Sequence, residues 1–147
     1  MKKLILVALM LTVVPVKTPV QAEAGGVWPC LATCFMGDVR IGLYMNEGKE
    51  VENMDWIVFV LNAVGTGLGP FVSAYDAHKK SSSMKGCCVG YFWGRRAGGE
   101  INNYKLRTKE ILLCIPIINI YPCIAIPLEA FNGKTMTQII EEENLKR

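Results

Sequence analysis

The chain repeats itself. Displaced by 56 residues, Arg40 falls on Arg96, Gly42 on Gly98, Asn46 on Asn102 and Lys49 on Lys105. After one deletion the displacement becomes 55, and Asn53 meets Thr108, Asp55 meets Glu110, Trp56 meets Ile111 and Ile57 meets Leu112. Both copies then run through apolar sequence to an acid, an alanine and a basic tract, Asp76-Ala77-His78-Lys79 in one and Glu129-Ala130 through Lys134 in the other. A unit that recurs in class and order must fold the same way twice and cover its apolar faces with its neighbour. The copies span about 28–80 and 84–133.

Each copy predicts the same pair of elements. Asn53 and Thr108 are good helix N-caps, and Asp55 and Glu110 just inside place a carboxylate at the positive end of the helix dipole. The apolar run that follows is uncharged, 56–75 in copy one and 111–128 in copy two. Before it lies a segment of small residues. Gly86, Gly90, Gly94 and Gly98 recur every fourth position, which on a helix makes one stripe open to close approach by another helix. Four glycines cost a helix roughly 1 kcal/mol each, but Cys87 to Trp93 supplies bulk between them. The equivalents in copy one are Cys30, Cys34, Asp38 and Gly42.

The expected fold is all-α: two tandem helical hairpins, each pairing a small-residue helix (28–45 or 86–102) with an apolar helix (54–75 or 109–130). Residues 134–147 form an amphipathic tail in which Thr135-Met136-Thr137-Gln138 has the spacing of a capping box.

Export is written at the N-terminus. Met1-Lys2-Lys3 is basic, Leu4 to Val14 is apolar but for Thr12, and Val20-Gln21-Ala22 is a small-residue exit. That is the layout of a cleavable signal peptide over residues 1–22, with an apolar core too short to cross a bilayer. Lys2, Lys3 and Lys17 leave with it, so the remaining 13 basic and 13 acidic residues balance. A nucleic-acid partner then has no electrostatic motive.

The two apolar runs match the ~20 residues that a bilayer crossing needs. Residues 23–55 carry 2 basic and 6 acidic groups, and residues 76–110 carry 8 basic and 3 acidic. The positive-inside rule would hold 76–110 in the cytoplasm. Against crossing stand the breaks, Gly65, Gly67, Gly69 and Pro70 in the first run, and Pro116, Pro122 and Pro127 in the second. The sequence leaves both placements open, spans or the core of a helical domain.

Catalytic chemistry finds little material. His78 is the only histidine and sits in a Lys/Ser turn. No G-x-S-x-G elbow, phosphate loop or dinucleotide fingerprint occurs. An even set of six cysteines in an exported chain suggests disulfides, with 15 pairings open. Cys30, Cys34, Cys87 and Cys88 occupy matching regions and are the candidates for a bond between the small-residue helices. Cys114 and Cys123, set among Ile and Pro, read as small buried apolar residues. The C-x-x-C spacing that redox enzymes and zinc sites favour is missing. Neither a metal nor a cofactor is expected. Arg40, Asn46 and Lys49, with Arg96, Asn102 and Lys105, are the polar positions both copies keep, and form a candidate contact surface for a partner or a lipid head group.

Val39-Arg40-Ile41-Gly42, Asn46-Glu47-Gly48-Lys49, Arg107-Thr108-Lys109-Glu110 and Gly133-Lys134-Thr135-Met136-Thr137 resemble a group of small uncharacterised exported bacterial proteins. That group is built on Cys-Cys, G-P-R-x-G, N-E-G, R-T-K-E-W-L and G-K-T-M-T. The chain departs from it at Asp38, Arg95 and Ile111. The resemblance implies export and the duplicated unit, and it brings no activity. The expected role is therefore a non-enzymatic cell-envelope protein, in the inner membrane or periplasm, acting through a membrane, self-association or a protein partner. The alternatives are a pore-forming or bacteriocin-like oligomer built on the glycine stripe, and a cysteine-based redox or metal module.

Overall fold

The structure, a computed structural model, describes residues 25–147; the expected signal peptide lies outside them. Among the described residues nine helices follow one another: α1 Val27–Phe35, α2 Ile41–Asn46, α3 Asn53–Ala63, α4 Gly69–Ser81, α5 Met84–Trp93, α6 Arg95–Gly99, α7 Thr108–Leu112, α8 Ile120–Phe131 and α9 Met136–Glu142. The fold is all-α. A single antiparallel bridge, Tyr104 to Lys146, ties the tail to the segment after α6.

Every long helix expected from the sequence is broken once. The first small-residue segment divides into α1 and α2 at Met36–Arg40, where Gly37 takes φ +70°. Its counterpart divides into α5 and α6 at Gly94, at φ +97°. A side chain there would also be pressed to 2.6 Å from the Asp38 Cα. The first apolar run turns at Gly65 and Gly67, both at positive φ, and restarts with Pro70 in the first turn of α4. The second breaks between Leu113 and Asn119, around Pro116. Two short helices joined by a turn replace each 18–20-residue run. Among the described residues, no helix is long and apolar enough to cross a membrane.

Helix partners are exchanged between the copies. α1 of copy one packs on α8 of copy two, and α5 of copy two packs on α4 of copy one. Glycine fit explains the exchange. A Cβ at Gly42 would lie 2.7 Å from the Ala130 Cβ, and one at Gly98 would lie 2.6 Å from the Ala77 Cβ. Each glycine thus admits the alanine of the opposite copy, so the hairpin contacts expected within a copy form across the copies instead. The glycine stripe is divided in the same way. Gly86 and Gly90 lie on α5, Gly94 is the hinge, and Gly98 on α6 faces the α5 backbone at Gly86 and Gly90.

The apolar core is modest. Leu43, Tyr44, Ala130, Met136, Ile139, Ile140 and Leu145 form one cluster, uniting α2, α8 and the tail. Val89, Ala97 and Ile101 form a second, with Trp93 and Leu106 against it. The tail helix begins as its sequence predicts, with the Gln138 N–H donating to the Thr135 hydroxyl at 3.2 Å and the Thr135 N–H to the Gln138 side chain at 3.0 Å.

Candidate functional site

Between the two apolar clusters lies a buried centre of charge, placed by the N-termini of α3 and α7. The carboxylates of Asp55 and Glu110 stand at the third position of these helices, one place later than the spacing suggests. Each turns back to cap its own helix. Asp55 accepts the Glu52 N–H at 2.8 Å, and Glu110 accepts the Arg107 N–H at 2.9 Å. Each then receives an arginine from the opposite copy.

Arg40 is fully buried and grips Glu110 with a two-pronged bond, Nε to Oε1 at 2.7 Å and Nη2 to Oε2 at 2.8 Å. Such a fork matches carboxylate geometry and strengthens both bonds. Burial alone would depress the Arg40 pKa; its bonds to Glu110 outweigh that and raise it. The counterpart, Arg96, places Nη2 at 2.7 Å from Asp55 Oδ2. Here a second cation joins, as Arg95 binds Asp55 at 2.5 Å and Asp76 at 2.7 Å. Its remaining nitrogen pairs with Glu52 at 2.8 Å. Burial would raise the Asp55 pKa, but Arg95 and Arg96 together hold it below the usual carboxylate range. In copy two, Arg107 holds Glu129 at 2.5 Å and Glu143 at 3.0 Å.

Counterpart positions also meet each other. Asp38 lies against Gly94, its own equivalent, and Tyr44 donates its hydroxyl to Glu100, which is likewise its equivalent. The Arg96 guanidinium lies 5.4 Å from the centre of the Tyr44 ring. Asp38 is buried and accepts two backbone N–H groups, Arg40 at 3.0 Å and Arg96 at 2.8 Å, one from each copy. Burial pushes its carboxyl up to about 6, against the pull of those two donors.

Half of the candidate contact surface is thus interior. Arg40, Arg96 and Asn46 are buried, because each has its hydrogen-bonding partners inside the fold. Asn46 donates to the carbonyls of Ala130 and Lys134, both at 2.8 Å, and Asn102 donates to that of Ser81 at 2.7 Å. These are matching places at the end of the opposite copy's second apolar helix. Lys49, Asn102 and Lys105 remain exposed.

The six cysteines are free thiols. Because α1 packs on α8 and α5 on α4 rather than on each other, Cys34 is brought toward Cys123 and not toward Cys87 or Cys88. Burial and the neighbouring thiols of Cys30 and Cys123 raise the Cys34 pKa. Cys114 and Cys123 are exposed rather than buried, since they face outward from the broken second run. Among the described residues no group of three or more His, Cys, Asp or Glu is arranged to hold a metal ion. His78 is exposed, with Nδ1 3.1 Å from the Ser83 carbonyl oxygen.

The outside of the molecule is apolar where the inside is charged. Trp28 and Phe35 on α1, Phe71 and Tyr75 on α4, Met84 and Phe92 on α5, and Ile120, Ile124 and Leu128 on α8 are all more than half exposed. The two turns that break the apolar runs carry Val64 and Leu68 at one tip and Ile115, Ile117 and Ile118 at the other, with Ile117 89 % exposed. The tips nevertheless satisfy much of their own backbone. The N–H groups of Val64, Gly65 and Thr66 find carbonyls within three to five residues, and so do those of Cys114, Ile115, Ile118 and Asn119.

A comparison of the chain with family models, curated proteins and solved structures finds no match.

The residues that organise the centre and were not singled out from the sequence are Asp38, Asp76, Arg95, Arg107 and Glu129. The signal for two of them was present, since Asp76 and Glu129 close the two apolar runs at matching places. Arg95 and Arg107 fall opposite Val39 and Glu52 in the other copy, so the repeat gave them no support.

Proposed function

We propose that the chain is an exported, non-enzymatic protein of the bacterial cell envelope that sits at a membrane surface and works there as a structural or interaction module. The observation that carries this reading is the inversion just described: arginines and carboxylates fully buried at the centre, large apolar side chains facing outward. A soluble monomer rarely leaves apolar surface of this extent unpartnered, since burying one such side chain contributes about 1.5–3 kcal/mol. The tips fit an interface in particular. They offer aliphatic side chains to the acyl boundary, and backbone groups bonded within the turn do not need water.

The centre gives no motive for catalysis. Asp55 is held ionised between two arginines, and both oxygens of Asp38 are taken by backbone donors. The glycine stripe, the motive for a pore-forming oligomer, is filled within the chain, Gly86 and Gly90 by α4, Gly94 by Asp38 and Gly98 by α5 and Ala77.

Flotation with neutral phosphatidylcholine vesicles tests the reading. The purified chain should rise with the vesicles, and replacing Val64 and Ile117 together by aspartate should leave it at the bottom with its helical circular dichroism intact. A wild-type chain that stays monomeric and never floats would sink the proposal.

A further inference from the structure

Among the described residues most cations are paired. Arg40, Arg95, Arg96, Arg107, Lys49, Lys80, Lys109 and Lys134 each lie within ion-pair distance of a carboxylate. Lys79, Lys85, Lys105, Lys146 and Arg147 take part in no such pair, and all five are exposed.

Backbone pairing brings the last three of these together. The Lys105 N–H donates to the Leu145 carbonyl at 2.8 Å and the Arg147 N–H to that of Asn103 at 3.2 Å, with Tyr104 and Lys146 bridged between them. Lys85 and Arg147 then stand over one groove of about 370 Å³. Its floor is Val89 and Ile101, and its wall is Met84 and Cys88.

The patch adjoins the apolar exterior. On α5, Met84, Cys88, Tyr91 and Phe92 follow at helical spacing and are all exposed, with Lys85 beside them. A cation at the edge of an aromatic and aliphatic face holds its charge at headgroup level while the face beside it sinks.

We propose that this patch, Lys85 and Arg147 over the apolar groove with Lys105 and Lys146 alongside, receives the phosphate headgroup of an anionic phospholipid in the bilayer. The proposal rests on the membrane reading above and adds a lipid class to it. Chain and charge agree on the occupant: cations at the rim meet the phosphate, and the apolar floor meets the start of an acyl chain.

The test compares vesicles of phosphatidylcholine alone with vesicles that also contain phosphatidylglycerol. The wild-type chain should bind the anionic vesicles at least about tenfold more tightly at low ionic strength, and high salt should erase the difference. The combined variant Lys85→Glu, Lys105→Glu and Lys146→Glu should lose that preference and keep its affinity for neutral vesicles. Equal binding of wild type to both vesicle types overturns the lipid assignment while leaving the membrane reading in place. Failure to bind either overturns both. Competition by soluble glycerol phosphate that removes the preference would assign the patch to a free phosphate ligand and also overturn the proposal.

Discussion

The two copies solve one electrostatic problem with different residues. In each, a carboxylate at the start of the copy's own apolar run is driven into the interior, and the opposite copy supplies an arginine. Glu110 relies on one side chain, Arg40, for its charge balance. Asp55 has two, Arg96 at the matching position and Arg95 at a position where copy one has Val39. The acid closing the apolar run shows the same freedom. Asp76 is met by Arg95, and Glu129 by Arg107, whose counterpart in copy one is the acid Glu52. The carboxylates keep their places, while the cations come from whichever segment can reach. Burial makes charge balance compulsory without dictating which backbone position provides it.

The sharpest way to break this comparison is to remove one cation from each side. Arg40→Gln leaves Glu110 buried without a charged partner and should lower stability by about 3–5 kcal/mol. Arg96→Gln leaves Asp55 its bond to Arg95 and should cost about half as much, in line with a single charged hydrogen bond. Urea unfolding followed by circular dichroism measures both. Equal losses would mean that Arg95 does not share the load of Asp55.

A second difference between the copies is Asp38, whose counterpart is Gly94. Burial raises its carboxyl to about 6 in the folded chain, from an ordinary value of about 3.8. The folded state therefore binds a proton that the unfolded state has already lost. Stability from this group is full below the unfolded value and falls as pH rises from about 4 to 6. The shift corresponds to about 3 kcal/mol. Unfolding free energy measured across that window should decline for wild type, and Asp38→Asn should flatten the decline. An unchanged slope in Asp38→Asn would place the titration elsewhere.

The repeat was legible in the sequence because capping and burial fix certain residues. An acid at the helix start, a glycine at a close crossing and an asparagine opposite open carbonyls all recur at a constant displacement. The all-α class followed from the same positions. The exchange of partners was hidden, since nothing in Gly42 or Gly98 says whether the alanine it admits belongs to its own copy or the other. Arg40 and Arg96 read as surface because charged side chains are normally solvated, and only their carboxylate partners, 70 and 41 residues away, make the interior tolerable. The breaks in the apolar runs were visible as Gly65, Gly67 and Pro116. Their consequence, two half-length helices around an exposed tip, required the three-dimensional turn.

The smallest effect is also the cleanest check on the exchange, because it involves no charge. Asn46 and Asn102 sit at matching positions and hold the ends of opposite helices. Asn46 is buried, donates to the Ala130 carbonyl of copy two and to that of Lys134 just beyond it, and accepts the Gly25 N–H at 3.0 Å. Asn102 is exposed and donates to the Ser81 carbonyl alone. A net hydrogen bond is worth about 0.5–1.5 kcal/mol, and a buried acceptor left open costs more. Asn46→Ala should therefore lose about 2 kcal/mol and Asn102→Ala about 1 kcal/mol or less. Hydrogen exchange adds the location. If the copies are exchanged, Asn46→Ala should loosen the C-terminal turn of α8 in the opposite copy, leaving α3 and α4 of its own copy protected. Faster exchange confined to α3 and α4 would mean that the unit closes on itself, and that each arginine serves the carboxylate of its own copy.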